Sequence, residues 1–175
     1  PVQSTQAALV QDTPLPELLL SLTRLGEAEG GSLFVVLLAA FEVLLHRYSG
    51  QEDFAVGAIV ANRPPGPVQQ MLGPFAHALP VRVDLSGRPT FRQFLRCCCA
   101  TLAEARTHQH GPFEQIVAEF QNSRDPEQAQ VLQVMCSGDA PLWSNIEFYG
   151  LAWDHVAVDG RCALTDLALD LAEVT

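Results

Sequence analysis

A histidine followed four residues later by an aspartate and a glycine offers the most direct chemistry in this 175-residue chain. In the string His155-Val156-Ala157-Val158-Asp159-Gly160 the imidazole could serve as general base toward an acceptor amine or hydroxyl. The same string has a plainer reading, because Asp159-Gly160 between two apolar runs is a hairpin turn signal. His108 and His110 stand two apart at the end of a helical pattern and could share a metal. No third ligand lies near them in sequence, so a solvated helix terminus fits them better. Arg63, directly after Asn62, offers a planar fork that suits a phosphate, or an ordinary loop partner. His46, near the end of an apolar helix, reads as a complement to the helix dipole. Trp143, Phe148 and Trp153 read as core or rim packing rather than a substrate cage. The chain has no GxSxG, no glycine-rich phosphate loop and no CxxC.

Composition narrows the class. Apolar residues make up 48% and charged residues 17%, the balance of a folded globular domain. The length suits one domain with its own core. The formal charge is −10 and every one of the ten basic residues is arginine. An acidic domain with scattered arginines does not offer the basic face that a nucleic-acid backbone needs. No apolar stretch long enough to cross a membrane escapes interruption by Glu, His or Arg, and no basic-then-apolar leader opens the chain. The five cysteines, Cys97, Cys98, Cys99, Cys136 and Cys162, are odd in number. Together these features predict reduced thiols and a cytoplasmic location. Three consecutive helical cysteines point in different directions and cannot converge on one metal. They read instead as filling a helix buried on more than one side.

The elements that would position these groups follow from periodicity and punctuation. Residues 1–14 lack a period and read as a linker or extended segment. Leu15, Leu18, Leu19, Leu22 and Leu25 mark an amphipathic helix to about Glu29, with Pro16 in its first turn and Gly30-Gly31 as its stop. Ser32 is the expected cap of a second helix, Leu33 to Tyr48, apolar on nearly every side and therefore central. Ser49-Gly50 ends it. Phe54 to Ala61 reads as a buried strand, Asn62 to Pro67 as a loop, and Ala76 to Asp84 as a second strand. Thr90 caps a long helix, Phe91 to about Thr107, with Phe91, Phe94, Leu95, Cys98, Leu102 and Ala105 as its inner stripe. A helix from Pro112 to about Phe120 follows. Strands are expected at Val131 to Cys136, near Ile146 to Val158, and at Cys162 to Leu171. In the last of these Asp166 and Asp170 alternate with leucines, so one face should be wet. The interleaving predicts an α/β two-layer sandwich, a mixed sheet covered by helices.

Five segments, in order, resemble the C-terminal, acceptor-side lobe of condensation domains from nonribosomal peptide synthetases. They are Ser32 to Asn62 with its LLHRYSGQEDFAVGAIVANR core, Met71 to Asp84 (MLGPFAHALPVRVD), Pro89 to Val117 with THQHGPFEQIV, Val131 to Met135, and Asp159 to Leu171. The resemblance implies one lobe of a chloramphenicol acetyltransferase-like fold, in which two lobes face each other across a tunnel. It implies that Asn62, Arg63, Phe75, His77 and His110 line or support that tunnel. It also implies a phosphopantetheine arm on a partner carrier protein, with no cofactor bound by the lobe itself. The family's catalytic HHxxxDG belongs to the other lobe. The HxxxDG at His155 falls on a strand in this alignment, which favours the hairpin reading there.

Two departures stand out: His77-Ala78 where the family has Asn-Thr, and His110-Gly111 before Pro-Phe-Glu where it has Asp-Leu. Residues 15–175 are thus expected to form an incomplete acceptor-side lobe, cut from a longer megasynthase and inactive alone. Such a lobe would act as a scaffold or as a docking module for a carrier or neighbouring domain. The alternative is the acceptor half of an active amide- or ester-forming enzyme. Apolar surface left bare on a lone lobe predicts association with a carrier, a neighbouring domain or a second copy.

Overall fold

A computed structural model describes residues 8–63, 66–109, 132–138 and 165–171. Helix α1 spans Pro16–Ala28, and Pro16 occupies its first turn, where the missing amide hydrogen is not needed. Helix α2, Leu33–Ser49, turns away from α1 by 98°. The corner is tight: a Cβ on Gly26 would lie 2.9 Å from the carbonyl oxygen of Ser32, so only glycine lets the two helices approach there. Ser32 occupies the expected cap position, but its side chain makes no capping bond; its carbonyl instead accepts the Val36 amide. Gly50 closes α2 in the left-handed conformation, φ 72°, with its amide donating to the His46 carbonyl at 2.8 Å.

Strands β1 (Asp53–Val60) and β2 (His77–Asp84) pair antiparallel along their full length, from Asp53 opposite Asp84 to Val60 opposite His77. The like charges of Asp53 and Asp84 would repel. Arg82, diagonal to Asp53, grips it through two hydrogen bonds of 2.8 and 2.7 Å. Helix α3, Phe91–Thr107, begins with a complete capping box: the Gln93 amide donates to Thr90 Oγ1, and the Thr90 amide donates to Gln93 Oε1. Strand β3 (Val134–Ser137) pairs parallel with β1, and β4 (Leu167–Asp170) pairs parallel with β3. The described sheet is therefore mixed, in the order β2-β1-β3-β4.

The core lies between one face of this sheet and helices α2 and α3. Val56, Ala58, Val81, Val83 and Cys136 from the strands meet Phe34, Val35, Leu38 and Phe41 of α2 and Phe94, Leu95 and Leu102 of α3. The other sheet face is close-packed at Gly57, where a Cβ would run into Met135 and Leu132. At the rim, Arg92 and Arg96 of α3 each hold a carboxylate oxygen of Glu29, the residue that ends α1. That clasp, Arg96 foremost and then Arg92, holds the Glu29 carboxyl below the usual carboxylate range.

The α/β sandwich expected from the sequence is thus the observed architecture, with some corrections. Phe91, assigned to the inner stripe of α3, is exposed at the first position of the helix, one turn before the buried pair Phe94 and Leu95. The cysteine triplet does not fill a helix buried on several sides: Cys98 is buried, Cys99 partly so and Cys97 exposed. Only one face of α3 meets the core. Among the described residues the third strand starts at Val134 rather than at residue 131, and Leu132 packs against Gly57 before the ladder begins. In β4 the wet face is broader than alternation predicts, since Leu167 is exposed while Leu169 and Leu171 pack on the core. No single described helix is long and apolar enough to cross a membrane. The expected helix from Pro112 and the strands near 146–158 lie outside the described residues.

Candidate functional site

Four of the residues assigned to a tunnel by resemblance come together at one end of the β1–β2 pair. Asn62 and Arg63 follow directly on β1; Phe75 and His77 lead into and open β2. Between them a loop carries a single 3-10 turn, Pro67–Gln70. The prolines of this stretch cannot donate to a ladder, so the chain leaves the sheet here. Asn62 turns it with a positive φ of 47°, a conformation asparagine tolerates better than most residues.

Arg63 organises the loop. Its Nη1 donates to the carbonyls of Val68 (3.0 Å) and Met71 (2.7 Å), and its Nη2 donates to Gly73 (3.3 Å). Its guanidinium also stacks over the Phe75 ring, 4.6 Å from the centroid. Three carbonyls and one ring face therefore hold a charge that would otherwise be free for an anion. The loop's apolar tip stays outside, with Leu72 fully exposed and Met71 exposed as well.

Beside this clamp, among the described residues, two buried polar atoms have no hydrogen-bond partner: Asn62 Oδ1 and His77 Nε2. A buried, unmade hydrogen bond costs about 1–3 kcal/mol, so these two atoms are a costly feature of the corner. Asn62 Oδ1 can only accept, whereas His77 Nε2 donates or accepts according to tautomer. His77 shares the alternation of Leu79, Val81 and Val83, which face the core. The corner thus combines a clamped cation, an aromatic face and two buried polar atoms without described partners.

Other sequence candidates are placed differently. His46 sits in the last turn of α2, and its Nδ1 donates to the Gln51 carbonyl at 2.7 Å, tying the helix end to the turn before β1. His108 ends α3. His110 and His155, with Asp159 and Gly160, lie outside the described residues, as do Trp143, Phe148 and Trp153. Among the described residues no group of three His, Cys, Asp or Glu side chains is arranged to hold a metal.

One polar group of the core escaped the sequence reading. Glu42 of α2 is 1% exposed, and its Oε2 accepts a hydrogen bond from Cys98 Sγ at 3.2 Å. Oε1 has no partner. Burial pushes its carboxyl up to about 7, against a smaller downward pull from the Cys98 hydrogen bond. Burial likewise raises the Cys98 thiol, and pushes that of Cys136 up to about 12. The available signal was that Glu42 is the one charged residue between Ser32 and His46.

Comparison with known proteins identifies relatives of the whole chain rather than of this corner alone. The profile of the family described as "Condensation domain" matches residues 3–148. A linear gramicidin synthase polypeptide of Brevibacillus parabrevis is 38% identical over 178 residues, covering 99% of this chain and 2% of that protein. Among solved structures, a four-domain nonribosomal peptide synthetase in its holo form is 25% identical with a TM-score of 0.63, over 69% of this chain and 9% of that one. The condensation domain of monacolin K polyketide synthase superposes with a TM-score of 0.61 at 22% identity, over 69% of this chain and 28% of that one. This chain therefore spans about 2% of the length of the gramicidin synthase polypeptide it matches. The fold and family read from the sequence are those of these relatives.

Proposed function

Because the chain belongs to the condensation-domain family, we propose that it forms the acceptor-side wall of a condensation tunnel within a peptide- or polyketide-forming megasynthase. Alone it is non-catalytic and works as a scaffold and docking surface for a carrier protein or adjacent domain. The observation that carries this reading is the state of Arg63. Its guanidinium is engaged by three backbone carbonyls and the Phe75 ring, so it shapes a wall rather than attacking or protonating a substrate. In this role Asn62, Phe75 and His77 line the wall, and His110 belongs to it by resemblance. The group that meets the wall is the phosphopantetheine arm of a carrier protein, a thioester-bearing polar chain. The orphaned Asn62 Oδ1 and His77 Nε2 fit its amides as hydrogen-bonding partners.

Titration of the chain with a carrier protein, with and without its phosphopantetheine arm, tests this reading. The expected result is binding that strengthens with the arm and weakens about tenfold in His77→Ala. Equal binding with and without the arm would count against a tunnel wall.

The same two orphaned atoms favour a second reading, the acceptor half of an active condensation enzyme. There, nucleophilic attack of an acceptor amine on a carrier thioester is accelerated by holding both arms in register. The general base comes from an HHxxxDG lobe. Supplying such a lobe in trans or by fusion distinguishes the two: amide formation supports the second, and binding without turnover supports the first.

A further inference from the structure

Glu42 belongs to α2, the helix that runs through Gly50 into β1 and so toward the Asn62–Arg63 corner. Its carboxyl lies deep between the two helices and the sheet. From α3 it meets Cys98, 5% exposed; from β3 the fully buried Cys136 lies close enough to feel its charge. The surrounding core residues of β1 and β2, Val56, Ala58, Val81 and Val83, are apolar. Among the described residues no ion pair to Glu42 exists and its Oε1 has no hydrogen-bond partner. The other titratable groups near this cluster are Cys97 and Cys99 of α3, which act on Cys98, and Asp170 of β4, which acts on Cys136. None of them supplies a positive charge.

An isolated carboxylate in such a place is disfavoured, while the neutral acid is tolerated. As a carboxylic acid Glu42 gains a proton that can be donated from either oxygen, and the Cys98 thiol still donates to the other. As a carboxylate it keeps only the weak thiol bond, and the charge has to be hydrated by loosening the α2–α3 contact. We propose that buried Glu42, facing Cys98 across the α2–α3 seam, makes that packing sensitive to pH: tight while Glu42 holds its proton and loosened as the proton leaves.

The direction follows from linkage. In the unfolded chain Glu42 titrates at the ordinary glutamate value of 4.5, and in the fold at about 7. Between those values the folded state binds the extra proton, so stability falls as pH rises through the window and levels off above it. Across pH 5 to 8 this one group is expected to lower the folding equilibrium constant by roughly one to two orders of magnitude.

The test is denaturant unfolding of the full chain at pH steps from 5 to 9, for the parent, Glu42→Gln and Cys98→Val. The histidines and the other carboxyl groups are common to all three proteins, so the difference profiles isolate Glu42. Glu42→Gln is expected to remove the fall and to be the more stable protein at pH 8. Cys98→Val takes away the hydrogen bond that favours the carboxylate and is expected to move the midpoint of the fall upward. Amide exchange along α2 and α3 is expected to quicken between pH 6 and 8 in the parent only. A parent profile that matches that of Glu42→Gln across the window overturns the proposal. So does a fall that persists undiminished in Glu42→Gln. If Glu42→Gln does not fold, the Cys98→Val midpoint alone decides, and a downward or absent shift overturns the proposal.

Discussion

The helix-covered sheet and the loop at its end are built on opposite plans. In the body, α2, α3 and the β1–β2 pair interlock through side chains that are almost all apolar, and Glu42 is the single buried charged residue among those described. In the loop between β1 and β2 hardly any side chain is buried, and order comes from one arginine reaching three carbonyls and a ring. The body draws its stability from area removed from water, which is indifferent to direction. The loop draws its shape from directed bonds, which can be re-aimed at a ligand. The division leaves the loop free to adapt while the frame holds.

Substitutions separate the two plans. The largest effect is expected in the body: Leu95→Ala, at a fully buried site, should lower unfolding free energy by about 2–5 kcal/mol in denaturant titration. Arg63→Ala should cost less globally, about 1–2 kcal/mol, yet release the loop. Faster hydrogen exchange at the Gln69, Met71 and Phe75 amides, without change in α2, is the expected signature, and uniform exchange would blur the distinction. Thr90→Ala removes half of the α3 capping box and should cost about 1 kcal/mol, read as a lower thermal midpoint. The smallest effect is expected at Arg82→Ala. Its bridge to Asp53 is exposed on both sides, so the thermal midpoint should not move measurably.

How far the sequence revealed each region follows the same division. Helices α1, α2 and α3 and strands β1 and β2 were legible to within a residue or two, because apolar period and punctuation by Pro, Gly and Thr determine them locally. The family was legible because five ordered segments carry its pattern. The sequence singled out Asn62, Arg63, Phe75 and His77, and the fold brings them to one end of the β1–β2 pair, yet the stacking of Arg63 on Phe75 was not legible, since a contact across twelve residues of irregular chain has no period. Glu42 went unread for a different reason. A helix that is apolar on nearly every side invites the inference that its one charge points outward. The packing of Cys98 above it decides otherwise, and that is a tertiary fact. Phe91 erred in the opposite direction: the stripe includes it, but at the first position of α3 it stays exposed.

The central claim is that this chain supplies a wall and docking surface, not the chemistry. The most direct test offers the chain two carrier proteins, one loaded with an acyl thioester and one with an amino-acyl thioester, and follows amide product by mass. The parent chain and His155→Ala are assayed alone and then with an HHxxxDG lobe added. The account predicts carrier binding with no product from either protein alone. Product from the parent chain by itself, lost in His155→Ala, would contradict it and would make the His155 imidazole the base of a free-standing acyltransferase.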